Sequence, residues 1–166
     1  MVRELQPKDL RENVFSLLDD RWTLITAGDQ GHCNTMTASW GGLGVLWNKN
    51  VATIYVRPQR YTFEFLEAAP CFTLSFFGEE WKKALAYCGR VSGREADKFS
   101  HCGFHVDMAG EHAPYIREAD MVLVCRKLYW NDLEAAHMDP VALEHYEKQD
   151  YHRMYIGEIT KILVKE

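Results

Sequence analysis

Short runs of β-branched and aromatic residues recur along this chain, each closed by a turn signal and spaced too tightly for long helices to intervene. Trp22-Thr23-Leu24-Ile25-Thr26 stops at Gly28-Asp29-Gln30-Gly31, and an alternating pattern resumes from Asn34 to Trp40, which predicts a hairpin. Val51 to Val56 and Cys71 to Phe77 predict two more strands, separated by an Arg-Pro turn and a short helical stretch that ends at Ala69-Pro70. Met121 to Tyr129 and Tyr155 to Val164 read as closing strands. Pro7, with Leu10, Val14, Leu17 and Leu18 on one stripe, predicts a single leading helix, and Glu79 to Tyr87 and Glu95 to His101 predict short ones. Strand-helix alternation of the parallel kind is missing. The expected class is therefore mainly β, an antiparallel barrel or sandwich with short peripheral helices, because closure removes edges that such strands would otherwise expose.

Composition narrows the partners. A chain of 166 residues with 47% apolar residues can bury a core without disulfides or a structural metal, and no shift or repeat marks a boundary, so one domain over 1–166 is expected. Nineteen basic against 24 acidic residues leave a formal charge of −5, which argues against nucleic acid and anionic membranes as partners. Apolar runs such as Val122-Leu123-Val124-Cys125 are far shorter than a bilayer span, and the charged first twenty residues hold no apolar signal core. Five scattered cysteines without a C-x-x-C pair read as free thiols, and a cytoplasmic location is expected.

Three segments can carry chemistry. In Asn34-Thr35-Met36-Thr37-Ala38-Ser39-Trp40-Gly41-Gly42, a strand would put Thr35, Thr37 and Ser39 on one face and Met36, Ala38 and Trp40 on the other. The small residues also let a flat ligand approach main-chain amides. The plainer reading is a half-buried strand running into a glycine turn, and Gly41, Gly42 and Gly44 do not form a dinucleotide fingerprint. Arg57-Pro58-Gln59-Arg60-Tyr61-Thr62 lies between a strand and a helix, where guanidiniums, a hydroxyl and helix N-terminal amides make a phosphate cradle; the alternative is that both arginines pair with Glu64, Glu67 or other acids. In Ser92-Gly93-Arg94-Glu95-Ala96-Asp97-Lys98-Phe99, Ser92 and Glu95 have capping-box spacing, while Lys98 is either a solvated charge or a second cation reaching a ligand. His101, Cys102, His105 and His112 fall short of the doubled spacing of a zinc site, and no metal is expected. Among the histidines, His152 stands out by opening the last strand.

Taken with His152-Arg153-Met154-Tyr155-Ile156-Gly157-Glu158-Ile159, these segments resemble the flavin reductase-like, FMN-binding split-barrel family, and within it the flavoredoxin-type branch. The resemblance implies a Greek-key split barrel, a homodimer with FMN near the subunit interface, and electron transfer between NADH or NADPH and a flavin or downstream acceptor. It implies that Asn34, Thr35, Met36, Thr37, Ala38, Ser39 and Trp40 line the isoalloxazine. Arg57, Arg60, Tyr61 and Thr62 would take the phosphate and ribityl chain, Lys98 would add charge, and His152 would be the catalytic candidate beside the cleft. Residues 131–151 are longer and more polar than the resemblance leads one to expect, and Trp40 and Trp47 are placed to restrict access to the ring. Two alternatives stay open: an electron-transfer or FMN-binding protein without direct NAD(P)H activity, and a split-barrel module holding another cofactor such as haem.

Overall fold

The computed structural model describes residues 2–166. The chain runs β1 (Val2–Leu5), a 3-10 turn (Pro7–Asp9), α1 (Val14–Asp19), β2 (Thr23–Asp29), β3 (His32–Ala38), β4 (Gly41–Leu46) and β5 (Lys49–Val56). It continues through α2 (Tyr61–Ala68), β6 (Cys71–Phe76), α3 (Lys82–Arg90), α4 (Lys98–Cys102), β7 (Val106–Met108), β8 (Pro114–Ile116), β9 (Met121–Asp132), α5 (Pro140–Leu143) and β10 (Arg153–Lys165). Eight strands form one antiparallel sheet in the order β3-β2-β6-β9-β10-β5-β4, with β1 added on β10, and β7 and β8 pair apart. The path starts at β3 and ends at β4, and these two strands are consecutive in sequence. The sheet is a split barrel whose seam is crossed by Ser39-Trp40 alone.

Alternation along the strands explains how both faces are covered. Phe72, Leu74 and Phe76 of β6 and Met121, Leu123 and Cys125 of β9 point into the barrel with Ile25, Ile54 and Tyr155. Val122 and Val124 of β9 and Leu24 of β2 point outward, under Leu85 and Cys88 of α3, Phe104 and Ile116. Gly157 marks a register shift where β10 crosses this core: a Cβ there would lie 2.7 Å from the Phe72 ring and 2.9 Å from Cys125.

Several local expectations need correction. The single leading helix is in fact a strand, a 3-10 turn and α1, because Asn13 caps the helix by accepting from the amides of Phe15 (3.0 Å) and Ser16 (3.4 Å). The glycine turn after Trp40 is strand β4, paired with β5 from Gly41↔Ile54 to Leu46↔Lys49. The capping box at Ser92 does not start a helix. Its hydroxyl accepts from the Arg94 amide in a local turn, and Asp97 caps α4 by accepting from Ser100. No described helix is long and apolar enough to cross a membrane.

Candidate functional site

The seam between β3 and β4 opens into a cleft of about 210 Å³ lined by Met36, Thr37, Ala38, Ser39, Trp40, Arg57, Arg60 and His152. Sheet geometry puts them there. β3 delivers its C-terminal half and the Ser39-Trp40 crossover, the loop after β5 delivers both arginines, and the start of β10 delivers His152.

The hydroxyl face of β3 is engaged inside the protein. Thr35 is fully buried, its Oγ1 donating to the Ile25 carbonyl (3.1 Å) and sitting 3.0 Å from Thr26 Oγ1, and Thr37 donates to the Leu85 carbonyl of α3. Met36 and Ala38 belong to the core, so backbone and small side chains rather than a row of free hydroxyls form the cleft wall. Asn34 is buried and donates from Nδ2 to Thr62 Oγ1 (2.9 Å), which ties β3 to the first turn of α2. Tyr61 stacks edge-on against Phe65 and carries the Arg94 guanidinium over its ring at 4.6 Å. Gly93 is compulsory at this crossing, since a Cβ there would sit 2.1 Å from Asn34 Oδ1 and 3.0 Å from the Tyr61 ring.

The two arginines have different fates. Arg57 is engaged by a carboxylate: its Nη1 lies 2.6 Å from Asp150 Oδ2, its Nη2 donates to the His145 carbonyl (3.0 Å), and its guanidinium covers the Tyr146 ring at 5.0 Å. Arg60 has no carboxylate within ion-pair distance among the described residues. Glu64 goes to Arg94, and Glu67 to Arg153. Instead, Arg60 donates from Nη1 to the Gly89 carbonyl (2.9 Å), and burial lowers its pKa. Lys98, 3% exposed, also lacks an ion pair; its Nζ donates to the carbonyls of Cys88 (2.8 Å) and Thr35 (2.8 Å). Burial first, and then the Arg60 charge, push its pKa down to about 8.

Two cations thus grip consecutive carbonyls, Cys88 and Gly89, at the C-terminal end of α3. Carbonyls of a last helical turn have no intrahelical donor, and the helix end carries roughly half a negative charge. That offsets a fraction of two full positive charges. The corner keeps a net positive charge that no side chain of the described chain neutralises.

His152 is 7% exposed, with Nδ1 2.7 Å from the Tyr146 hydroxyl and its ring 5.3 Å from that of Trp40. Burial and the neighbouring Arg57 lower its pKa to about 4, against an opposing pull from Asp150, so it is neutral near pH 7. Residues 133–151 form a strap over this edge. It is held by Arg57 and Gln59 on Asp150 (Gln59 Nε2 to Oδ2, 2.8 Å), by Tyr146 on His152, and by His145 edge-on against Trp40 at 5.3 Å. On the other side of Trp40 lies an open, mainly apolar groove of about 780 Å³, lined among others by Phe15, Leu18, Leu43, Tyr55 and Tyr146.

The structure thus gathers Met36 to Trp40, Arg57, Arg60 and His152 at one cleft, with Asn34, Tyr61 and Lys98 lining an adjoining hollow of about 400 Å³. Thr35 and Thr62 lie beneath, their side chains used internally. Sequence reasoning missed the anchors Asp150 and Tyr146, which sit in a polar stretch with no motif, and the carbonyls of α3, which leave no signature in side-chain identity. Of the four residues weighed as metal ligands, His105 goes to Glu118, His112 to Asp29, and His101 stacks on Tyr87 while Cys102 faces Cys88.

Residues 16–166 match the family described as flavin reductase-like domain. Among solved structures, the chain is similar to a flavoredoxin from Methanosarcina acetivorans, with 27% identity and a TM-score of 0.69, over 88% of this chain and 69% of that one. It is similar in fold to the flavoredoxin of Desulfovibrio vulgaris (Miyazaki F), at 22% identity and a TM-score of 0.68, over 87% of this chain and 69% of that one. It is likewise similar in fold to an FMN-binding domain of a flavin reductases-like enzyme from Shewanella baltica OS155, at 18% identity and a TM-score of 0.69, over 99% and 77% of the two chains. No curated protein matches the chain significantly.

Proposed function

Since the chain belongs to the flavin reductase-like family, we propose that it binds FMN in the seam cleft and moves electrons between a reduced donor, NADH or NADPH, and a flavin or downstream acceptor. The observation that carries this reading is the pair of cations, Arg60 and Lys98, left without carboxylates beside a strand of small residues. A phosphate monoester bears nearly two negative charges at pH 7 and complements that corner in sign and magnitude. The fit is therefore to a phosphorylated ligand with a flat body, and it favours FMN over riboflavin.

In this reading Arg60 and Lys98 hold the phosphate, and the buried Thr62 hydroxyl, which accepts from Asn34, supports that corner from beneath. Main-chain groups of Thr37 to Trp40 lie along the ring, and Trp40 together with the strap keeps water from it. When bound, the flavin supplies the capacity to accept and release hydride or electrons. His152 is the catalytic candidate, as a neutral group at the cleft wall. Arg57, paired with Asp150, has its role in pinning the strap.

The homodimer belongs to the same proposal. Phe15 is 85% and Trp40 45% exposed at the rim of the apolar groove, surface that a second copy would cover. Sedimentation at twice 19.3 kDa is the expected result.

The absorption spectrum of the purified protein, followed by fluorescence titration with FMN and riboflavin, tests the cofactor. FMN should bind far more tightly. Arg60→Ala should weaken FMN about ten- to a hundredfold, the equivalent of roughly 1.5–3 kcal/mol for a charge-assisted bond, and leave riboflavin nearly unchanged. Equal losses for both flavins would show that Arg60 supports structure rather than phosphate. Steady oxidation of NADH or NADPH with added flavin separates a reductase from an electron carrier.

A further inference from the structure

His152 has one nitrogen engaged and one free. Its Nδ1 lies 2.7 Å from the Tyr146 hydroxyl, while Nε2 has no hydrogen-bond partner among the described residues. Nε2 is not sealed in either: Ser75 Oγ is the sole buried side-chain polar atom without a partner among those residues. It therefore keeps some accessible surface, on a residue that lines the cleft. A phenol is the stronger acid and an imidazole nitrogen the stronger acceptor, so the Tyr146 hydroxyl donates to Nδ1. A neutral imidazole has a single N–H, which then resides on Nε2.

We propose that Tyr146 is a positioning residue that locks His152 in its neutral Nε2–H tautomer, so that this corner of the cleft is a hydrogen-bond donor aimed at an uncharged acceptor, a carbonyl oxygen or ring nitrogen of the bound molecule. The identity of that molecule as a flavin rests on the function proposed above; the tautomer does not.

On balance the groups packed on the ring keep it neutral, which the lock requires. Trp40 lies 5.3 Å and Tyr55 6.5 Å from it, and the two walls that carry charge, Arg57 and Arg60, are both cationic. Asp150 is the nearby acid, and Arg57 already holds it at 2.6 Å. A positive imidazole is opposed here, in keeping with its lowered pKa. Tyr146 is itself held: it is 8% exposed, lies under the Arg57 guanidinium, and its amide donates to the Leu143 carbonyl (2.9 Å). The His152 carbonyl in turn accepts from the Leu133 amide at the far end of the strap (3.0 Å). Strap and histidine therefore orient each other. The strap's polar composition conceals a device of selectivity, since a ligand presenting an N–H or O–H at this point would face a donor with a donor.

The test is a long-range proton–nitrogen correlation on protein labelled with 15N-histidine at pH 7, flavin-free, with His152 assigned by its loss in His152→Gln. Protonated Nε2 and unprotonated Nδ1 are expected, and Tyr146→Phe should move both resonances toward the averages of a mixed population. An Nδ1–H form in the wild type, or a Tyr146→Phe spectrum identical to it, overturns the proposal. If Tyr146→Phe does not fold, the wild-type spectrum decides alone. Added FMN should shift Nε2 and leave Nδ1 in place, and a shift confined to Nδ1 refutes the aim toward ligand. A neutral imidazole freed from Tyr146 still prefers Nε2–H, so the wrong tautomer stays the minority and FMN affinity in Tyr146→Phe should fall by less than about twofold. A wild-type protein that shows the Nε2–H tautomer yet binds no FMN would sink the flavin reading and leave the lock standing.

Discussion

The wall formed by β2, β6 and β9 and the seam between β3 and β4 follow the same alternating pattern, yet they end in opposite chemical states. In the wall, the threonines finish their bonding inside the protein, and Ser75 Oγ alone is left without a partner among the described residues. Thr23 donates to the Ser75 carbonyl (3.1 Å), Thr26 meets Thr35 (3.0 Å), and Thr73 donates to the Pro114 carbonyl (2.6 Å). At the seam, Arg60 and Lys98 find carbonyls but no carboxylate, His152 keeps a free nitrogen, and Trp40 remains 45% exposed. A buried polar group is costly unless paired, and a buried charge more so. The wall is therefore complete by itself but for Ser75 Oγ, while the cations of the seam lack the carboxylates that an anionic ligand would replace in the proposed function.

The largest effect should come from the wall. Phe72 is fully buried in the barrel and touches Gly157 closely enough to forbid a Cβ there. Phe72→Ala should cost about 3–5 kcal/mol by chemical denaturation, the usual range for a large core truncation. If wall and seam are independent, FMN affinity of the folded variant stays within about twofold of the wild type. A tenfold loss would mean that the barrel interior sets the cleft geometry, and the comparison would have to be abandoned.

A middle-sized effect should come from pH. The folded-state pKa of His152 is depressed to about 4 from an ordinary 6.5. Between these values the unfolded chain takes up a proton that the folded chain refuses, so stability falls as pH drops from 6.5 toward 4. The full span is on the order of 3 kcal/mol at the conversion of about 1.4 kcal/mol per pH unit. His112, raised by Asp29, acts with the opposite sign: its contribution builds as pH falls from above its raised pKa toward 6.5 and is fully present below 6.5. Asp132 and Glu118, lowered by their partners, lose stability at still lower pH. Denaturation between pH 7 and 4.5 should therefore show a loss that His152→Gln largely removes. An unchanged slope in that variant would show that His152 is not the group refusing the proton.

The wall was the more legible region. A period of two with β-branched and aromatic residues is a backbone-level signal, and β2, β5, β6, β9 and β10 lie where it predicts them, because one face of each packs into the barrel and, for β2, β6, β9 and β10, the other meets a second apolar cluster. β4 was hidden because Gly41, Gly42 and Gly44 read as a turn, whereas pairing with β5 gives them an extended role that glycine propensity opposes. The short β1 was hidden because its four residues find their pairing on β10, at the far end of the chain. At the seam, the residue types of Arg60 and Lys98 were visible, but not their lack of counter-charges. That depends on Glu64 and Glu67 being taken by Arg94 and Arg153, which only the folded arrangement decides. Arg57 shows the converse: it looked equivalent to Arg60 until Asp150, ninety-three residues on, claimed it.

The smallest effect sharpens the boundary of the seam. Arg94 lies in the Ser92-Gly93-Arg94 segment that drew attention in the sequence, beside the glycine that admits Asn34 and Tyr61. Yet its guanidinium, unlike the two cations of the seam, has a carboxylate partner: it pairs with Glu64, donates to the Gln59 carbonyl (3.2 Å) and covers the Tyr61 ring. Both partners of the ion pair are substantially exposed, 44% and 59%, and such pairs contribute about 0–1 kcal/mol. Arg94→Ala should therefore shift the denaturation midpoint slightly and change FMN affinity by less than about threefold. The same titration on Arg60→Ala supplies the contrast, with both proteins read at two salt concentrations, because a cation acting on the phosphate gives a salt-dependent affinity and a surface ion pair does not. A loss in Arg94→Ala approaching that of Arg60→Ala would enlarge the cationic corner to three residues and make Glu64 its regulator. A negligible loss confines the corner to the two cations that α3 holds by its last carbonyls.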